Sequence, residues 1–122
     1  MKNILIVEDD ADISDILRDY LHNKGFSVQA AENGSVALDL IEKSGLPDVI
    51  LLDMKMPVVN GWQFAAQLRE KYNQQIPIVV MTAAGDGEQR AKDVAASGWI
   101  LKPFSLKDLF SIVQKISSPR TA

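Results

Sequence analysis

Four short apolar runs that do not alternate with polar residues constrain this chain more than any other feature: Ile4-Leu5-Ile6-Val7, Val49-Ile50-Leu51-Leu52, Ile78-Val79-Val80-Met81 and Trp99-Ile100-Leu101. A strand with one face in water alternates, so such runs suit parallel strands covered by helices on both faces. A fifth candidate, Phe26-Ser27-Val28-Gln29-Ala30, does alternate and is predicted at a sheet edge. Helical spacing fills the intervals. Ile13, Ile16, Leu17, Tyr20 and Leu21 follow the pattern of one buried helix face, and Gly25 ends that helix as a left-handed cap. Ala37, Leu40 and Ile41 mark a second helix, Phe64, Ala65, Leu68 and Tyr72 a third, and Leu106, Leu109, Phe110 and Val113 the last. Residues 88–97 offer only Ala91, Val94 and Ala95, so the helix predicted there is the least firmly packed. Strand and helix thus alternate five times, the pattern of an open α/β sheet with right-handed crossovers. The Asn60-Gly61 pair is not read as a hairpin, because no alternating strands flank it.

Composition narrows the function. The 122 residues suffice for one domain, and 47% apolar content supplies a core. A formal net charge of −3, with no long run of like charge, argues against nucleic acid as the main partner. No cysteine is present, which excludes disulfides and thiolate metal sites, and His22 alone cannot build a histidine-based zinc centre. It reads as a surface residue. No apolar stretch approaches the length of a membrane span or a signal peptide. A soluble, cytoplasmic protein is expected.

Ligands of open α/β sheets bind beyond the carboxyl ends of the strands. Glu8, Asp9 and Asp10 follow the first run, Asp53 the second, Thr82 the third, and Lys102 with Pro103 the fourth. Two carboxylates about 5 Å apart repel by roughly 3 kcal/mol at an effective dielectric near 20, so positive charge must offset several such terms. Lys102 supplies one unit and a hard divalent cation can supply the rest. Oxygen-only donors favour Mg²⁺ or its close relatives. A carboxylate beside Mg²⁺, a lysine and a hydroxyl is equipped for phosphoryl transfer, with the carboxylate as nucleophile. Asp53 has the best functional case, because an acid directly after Val-Ile-Leu-Leu is costly to bury unless paired or coordinated. Asp10 and Asp12 read instead as helix N-terminal caps or charges.

In order and spacing, Ile4-Leu-Ile-Val-Glu-Asp-Asp10, Leu52-Asp-Met-Lys-Met-Pro57 with Asn60-Gly61, Met81-Thr-Ala83 and Gly98-Trp-Ile-Leu-Lys-Pro-Phe104 resemble the receiver domains of response regulators, including stand-alone chemotaxis receivers. The resemblance runs from Lys2 to about Ile116. It implies a single doubly wound (βα)5 flavodoxin-like domain, strand order 2-1-3-4-5, over residues 1–117, with residues 118–122 a loose tail. It also implies a function: a signalling receiver that catalyses only its own phosphotransfer and dephosphorylation. Asp53 would take the phosphoryl group from a sensor histidine kinase or histidine phosphotransfer protein. Glu8 (through water), Asp9, Asp53 and the backbone carbonyl of Lys55 would hold Mg²⁺. Thr82 and Lys102 would bind phosphoryl oxygens, and Trp99 stands where the family places an aromatic switch residue, usually Tyr or Phe. The output would be a conformational change read by a downstream protein, and the Lys102–Pro103 peptide is expected to be cis. A stand-alone receiver and a domain of a longer chain both accommodate this sequence.

Other classes fit less well. Glu8-Asp9-Asp10 would repel the phosphate of a flavodoxin-type cofactor, and no Walker motif is present. An EF-hand counted from Glu8 or Asp10 has Ile13 or Asp15 where glycine is required. A haloacid-dehalogenase-type phosphatase would want an acid where Lys55 stands. The remaining alternative is a receiver-like binding module that works without phosphorylation.

Overall fold

The computed structural model describes residues 2–53, 61–72, 76–82, 92, 96–102 and 104–117. Five strands, β1 (Asn3–Val7), β2 (Ser27–Ala31), β3 (Val49–Asp53), β4 (Ile78–Thr82) and β5 (Gly98–Leu101), form one parallel sheet in the order β2-β1-β3-β4-β5. Four helices are described: α1 (Ala11–Asn23), α2 (Gly34–Ser44), α3 (Gly61–Tyr72) and α4 (Leu106–Ser117). The further helix expected over 88–97, residues Lys55, Asn60 and Pro103, and the tail 118–122 lie outside the described residues, Lys92, Ala96 and Ser97 excepted. With Pro103 goes the Lys102–Pro103 peptide.

Three of the four unbroken apolar runs, those of β1, β3 and β4, have the predicted cause, whereas the fourth forms the edge strand β5, where Ile100 is buried and Trp99 and Leu101 are each 40% exposed. Every residue of β3 and β4 is buried, since each strand packs on both faces. Side chains alternate along each strand, so one run feeds two cores. Leu5, Val7, Ile50, Leu52, Ile78 and Val80 point to the side covered by α2 and α3, where they meet Ala37, Ile41, Phe64 and Leu68. Ile4, Ile6, Leu51, Val79, Met81 and Ile100 point to the side covered by α1 and α4, against Leu17, Leu21, Leu109 and Val113. Two strands run one residue beyond their apolar runs. Asp53 pairs with Met81, and Thr82 with Leu101, so both polar residues are held in the ladder itself.

One residue departs from the expected helix faces. Ile16 is 55% exposed, and Ser14 is buried with Leu17 and Leu21 instead. At about 100° per residue, Ile16 stands a full step around the helix from Leu17, while Ile13, Tyr20 and Leu21 cluster within about 60° of it. Gly25, at φ 97°, ends α1 as expected, and its backbone N–H donates to the His22 carbonyl. Among the described residues, no helix is long and apolar enough to cross a membrane.

Candidate functional site

The alternation that builds the α1/α4 core continues past it at the carboxyl end of the sheet. Glu8 extends the face of Ile4 and Ile6, Asp53 that of Val49 and Leu51, and Lys102 that of Ile100. Three chain segments thereby bring their polar side chains together. One oxygen each from Glu8, Asp9 and Asp53 lies within 4.8 Å of the others. The Lys102 ammonium donates to Glu8 Oε2 at 2.8 Å and lies 3.7 Å from Asp53 Oδ2. Glu8 and Asp53 are buried while Asp9 is exposed, so the cluster opens to solvent on one side. Thr82 is buried at the end of β4, and its carbonyl accepts from the Lys102 backbone N–H at 2.8 Å. The strand end that carries the hydroxyl is thus tied to the residue that carries the ammonium.

Burial pushes the Glu8 carboxyl up from its ordinary 4.5 to about 7; the hydrogen bond from Lys102 opposes this and the charge of Asp53 adds to it. Burial works against the Lys102 ammonium, yet the Glu8 hydrogen bond and the charges of Asp53, Glu8 and Asp9 outweigh it and hold its pKa above the ordinary 10.5. Among the described residues, three carboxylates face one ammonium here, a surplus of negative charge. At 4.8 Å or less, each carboxylate pair repels by about 3 kcal/mol at an effective dielectric near 20. An all-oxygen donor set with that surplus, open on one side, fits a hard divalent cation such as Mg²⁺.

Of the residues singled out in the sequence, the fold brings together Glu8, Asp9, Asp53 and Lys102, with Thr82 on the adjoining strand end. Lys55 lies outside the described residues. Trp99, 40% exposed, pairs with Val80 on the edge strand β5, two residues short of the Thr82–Leu101 pair. Asp10 caps α1 as expected, its carboxylate accepting from the backbone N–H groups of Asp12 and Ile13. One contact escaped the sequence reading: the Asp10 backbone N–H donates to Glu8 Oε1 at 3.3 Å. No side-chain pattern signals a backbone donor.

Comparison with known proteins identifies the family and the fold. A family model described as the response regulator receiver domain matches residues 4–114. The response regulator MprA of Mycolicibacterium vanbaalenii is 38% identical over 110 residues, covering 88% of this chain and 47% of that protein. The chain spans about half the length of the curated relatives it matches. Among solved structures, the chemotaxis protein CheY4 of Vibrio cholerae superposes with a TM-score of 0.86 at 32% identity, covering 95% of this chain and 98% of its own. The response regulator TrrA of Thermotoga maritima, solved in complex with Mg²⁺ and BeF, gives 0.82 at 32% identity, covering 95% and 99%. The chain belongs to the response regulator receiver domain family of two-component signalling.

Proposed function

We propose that this chain accepts a phosphoryl group on Asp53 from a phosphohistidine donor, either a sensor histidine kinase or a histidine phosphotransfer protein, and signals to a protein partner by changing conformation. The observation that carries the reading is the meeting of Glu8, Asp9 and Asp53 within 4.8 Å, with Lys102 reaching two of them. An Asp53 oxygen attacks phosphorus, the P–N bond breaks, and the imidazole leaves with the electron pair and takes up a proton. Asp53 becomes an acyl phosphate. Charge grows on the phosphoryl oxygens during transfer; the Lys102 ammonium stabilises one and the Thr82 hydroxyl donates to another. Glu8, through water, Asp9, Asp53 and the Lys55 carbonyl would hold Mg²⁺, which supplies the charge neutralisation that one lysine cannot. The complex of TrrA with Mg²⁺ and BeF supports this assignment. Residues 1–117 act as the receiver, a cytoplasmic module whose own contacts are with proteins.

The test is intact mass after incubation with acetyl phosphate and Mg²⁺. One phosphoryl group is expected on the wild type, with none on Asp53→Ala and none when Mg²⁺ is chelated. Undiminished uptake by Asp53→Ala would remove the assignment. A wild type that takes up no phosphate from either acetyl phosphate or a phosphorylated kinase would make this a binding module.

A further inference from the structure

Asp10 lies beside the acidic cluster without belonging to it, and its backbone N–H, its carbonyl and its Oδ1 are all engaged. Its Oδ1 accepts from Asp12 N at 3.0 Å and Ile13 N at 3.3 Å. Its carbonyl accepts from Ser14 N at 3.0 Å, the first bond of α1. Its own N–H donates to Glu8 Oε1 at 3.3 Å, while Lys102 holds Oε2 of the same carboxylate at 2.8 Å. The backbone at Asp10 is extended, φ −85° and ψ 108°, and Asp10 is the last of the three residues that lead from β1 into α1. Asp9 is bonded directly to this fixed residue, and Glu8 leans on it.

We infer that Asp10 is a positioning residue for the cation site: its cap on α1 sets the backbone that aims both Glu8 and Asp9. This rests on the reading of that cluster as a Mg²⁺ site. The cap satisfies two of the four N–H groups that a helix start leaves open. Without it the first turn of α1 frays, the Asp10 N–H no longer meets Glu8 Oε1, and Asp9 loses its fixed angle. The cation then meets donors that must be ordered on binding, so affinity falls while the ligands themselves remain. The role requires a side-chain acceptor at residue 10 rather than a charge. Asn and Ser, which cap about as well as Asp, should therefore serve.

Mg²⁺ affinity, titrated through tryptophan fluorescence in 0.3 M KCl to screen distant charges, separates geometry from electrostatics. Four variants are compared with the wild type: Asp10→Ala, Asp10→Asn, Asp10→Ser and Asp12→Asn, the last removing a neighbouring charge while leaving the cap. Asp10→Ala should bind about tenfold more weakly, the low end of what losing an outer partner of a metal ligand costs. Asp10→Asn and Asp10→Ser should stay within about twofold of Asp12→Asn. Circular dichroism confirms that each variant is folded, and the Ser and Asn variants keep the test open if Asp10→Ala is not. Equal losses in Ala, Asn and Ser would mean that only charge matters and would overturn the inference. So would a lowered melting temperature in Asp10→Ala with unchanged Mg²⁺ affinity. A wild type that binds no Mg²⁺ removes the functional reading and this inference together, whereas binding that is indifferent to residue 10 removes the inference alone.

Discussion

Replacing Glu8 with glutamine should make the metal-free protein more stable at pH 8 and leave it nearly unchanged at pH 5. Glu8 is almost fully buried, and its carboxyl titrates near 7 in the folded protein against 4.5 ordinarily. That difference makes the ionised form cost about 3 kcal/mol on folding. Below about pH 4.5 the group is protonated in both states and contributes no penalty. As pH rises the unfolded chain releases its proton first, so the folded state holds more protons and stability declines until Glu8 itself ionises near 7. Lys102 remains charged throughout, since its pKa is held above the ordinary 10.5. Glutamine keeps the shape and a carbonyl acceptor for the Lys102 ammonium, and it cannot ionise. Urea unfolding followed by circular dichroism, in chelator at pH 5 and pH 8, measures the effect directly. The Glu8→Gln protein should exceed the wild type by up to about 3 kcal/mol at pH 8 and match it within about 1 kcal/mol at pH 5. Adding Mg²⁺ at pH 8 should narrow the gap by stabilising the wild type more. A stability difference of the same size at both pH values would refute the reasoning, because it could not come from ionisation of Glu8.

Three further outcomes follow from the same structure. Lys102→Met leaves Glu8 and Asp53 without the ammonium that now reaches both, so metal-free stability at pH 8 should fall by about 3 kcal/mol in urea unfolding, and by less at pH 5. Phe64→Ala empties a fully buried ring position between α3 and the sheet and should cost about 3–5 kcal/mol at either pH, with Mg²⁺ affinity unchanged in the folded fraction. Trp62→Phe leaves Trp99 as the one indole, and its fluorescence should change on treatment with acetyl phosphate and Mg²⁺; Thr82→Ala should suppress that change while phosphate uptake persists.

The centre of the sheet was legible because β1, β3 and β4 are buried on both faces. Val49 to Leu52 feed two cores in alternation, so no polar residue interrupts them until the strand reaches Asp53. Helix faces were less so. Ile16 lies at the margin of the apolar arc, about 100° from Leu17, where periodicity cannot tell which side the neighbouring surface covers, and Ser14 on the other margin takes the buried place. The site divides along the same line. Glu8, Asp53, Thr82 and Lys102 could be found from sequence because each ends an apolar run, and a polar residue there must either reach solvent or meet a partner. Which partner each meets depends on strand order, which periodicity does not carry. Glu8 and Lys102 stand 94 residues apart and touch at 2.8 Å. β3 and β4 lie between their strands, so contact requires both side chains to reach across the strand ends toward Asp53 at the centre. Asp10 is the complementary case. Its cap was readable from residue type, whereas the N–H that holds Glu8 belongs to the backbone, and any amino acid but proline would supply it. What residue 10 contributes is therefore the angle of that donor, fixed by the helix it caps.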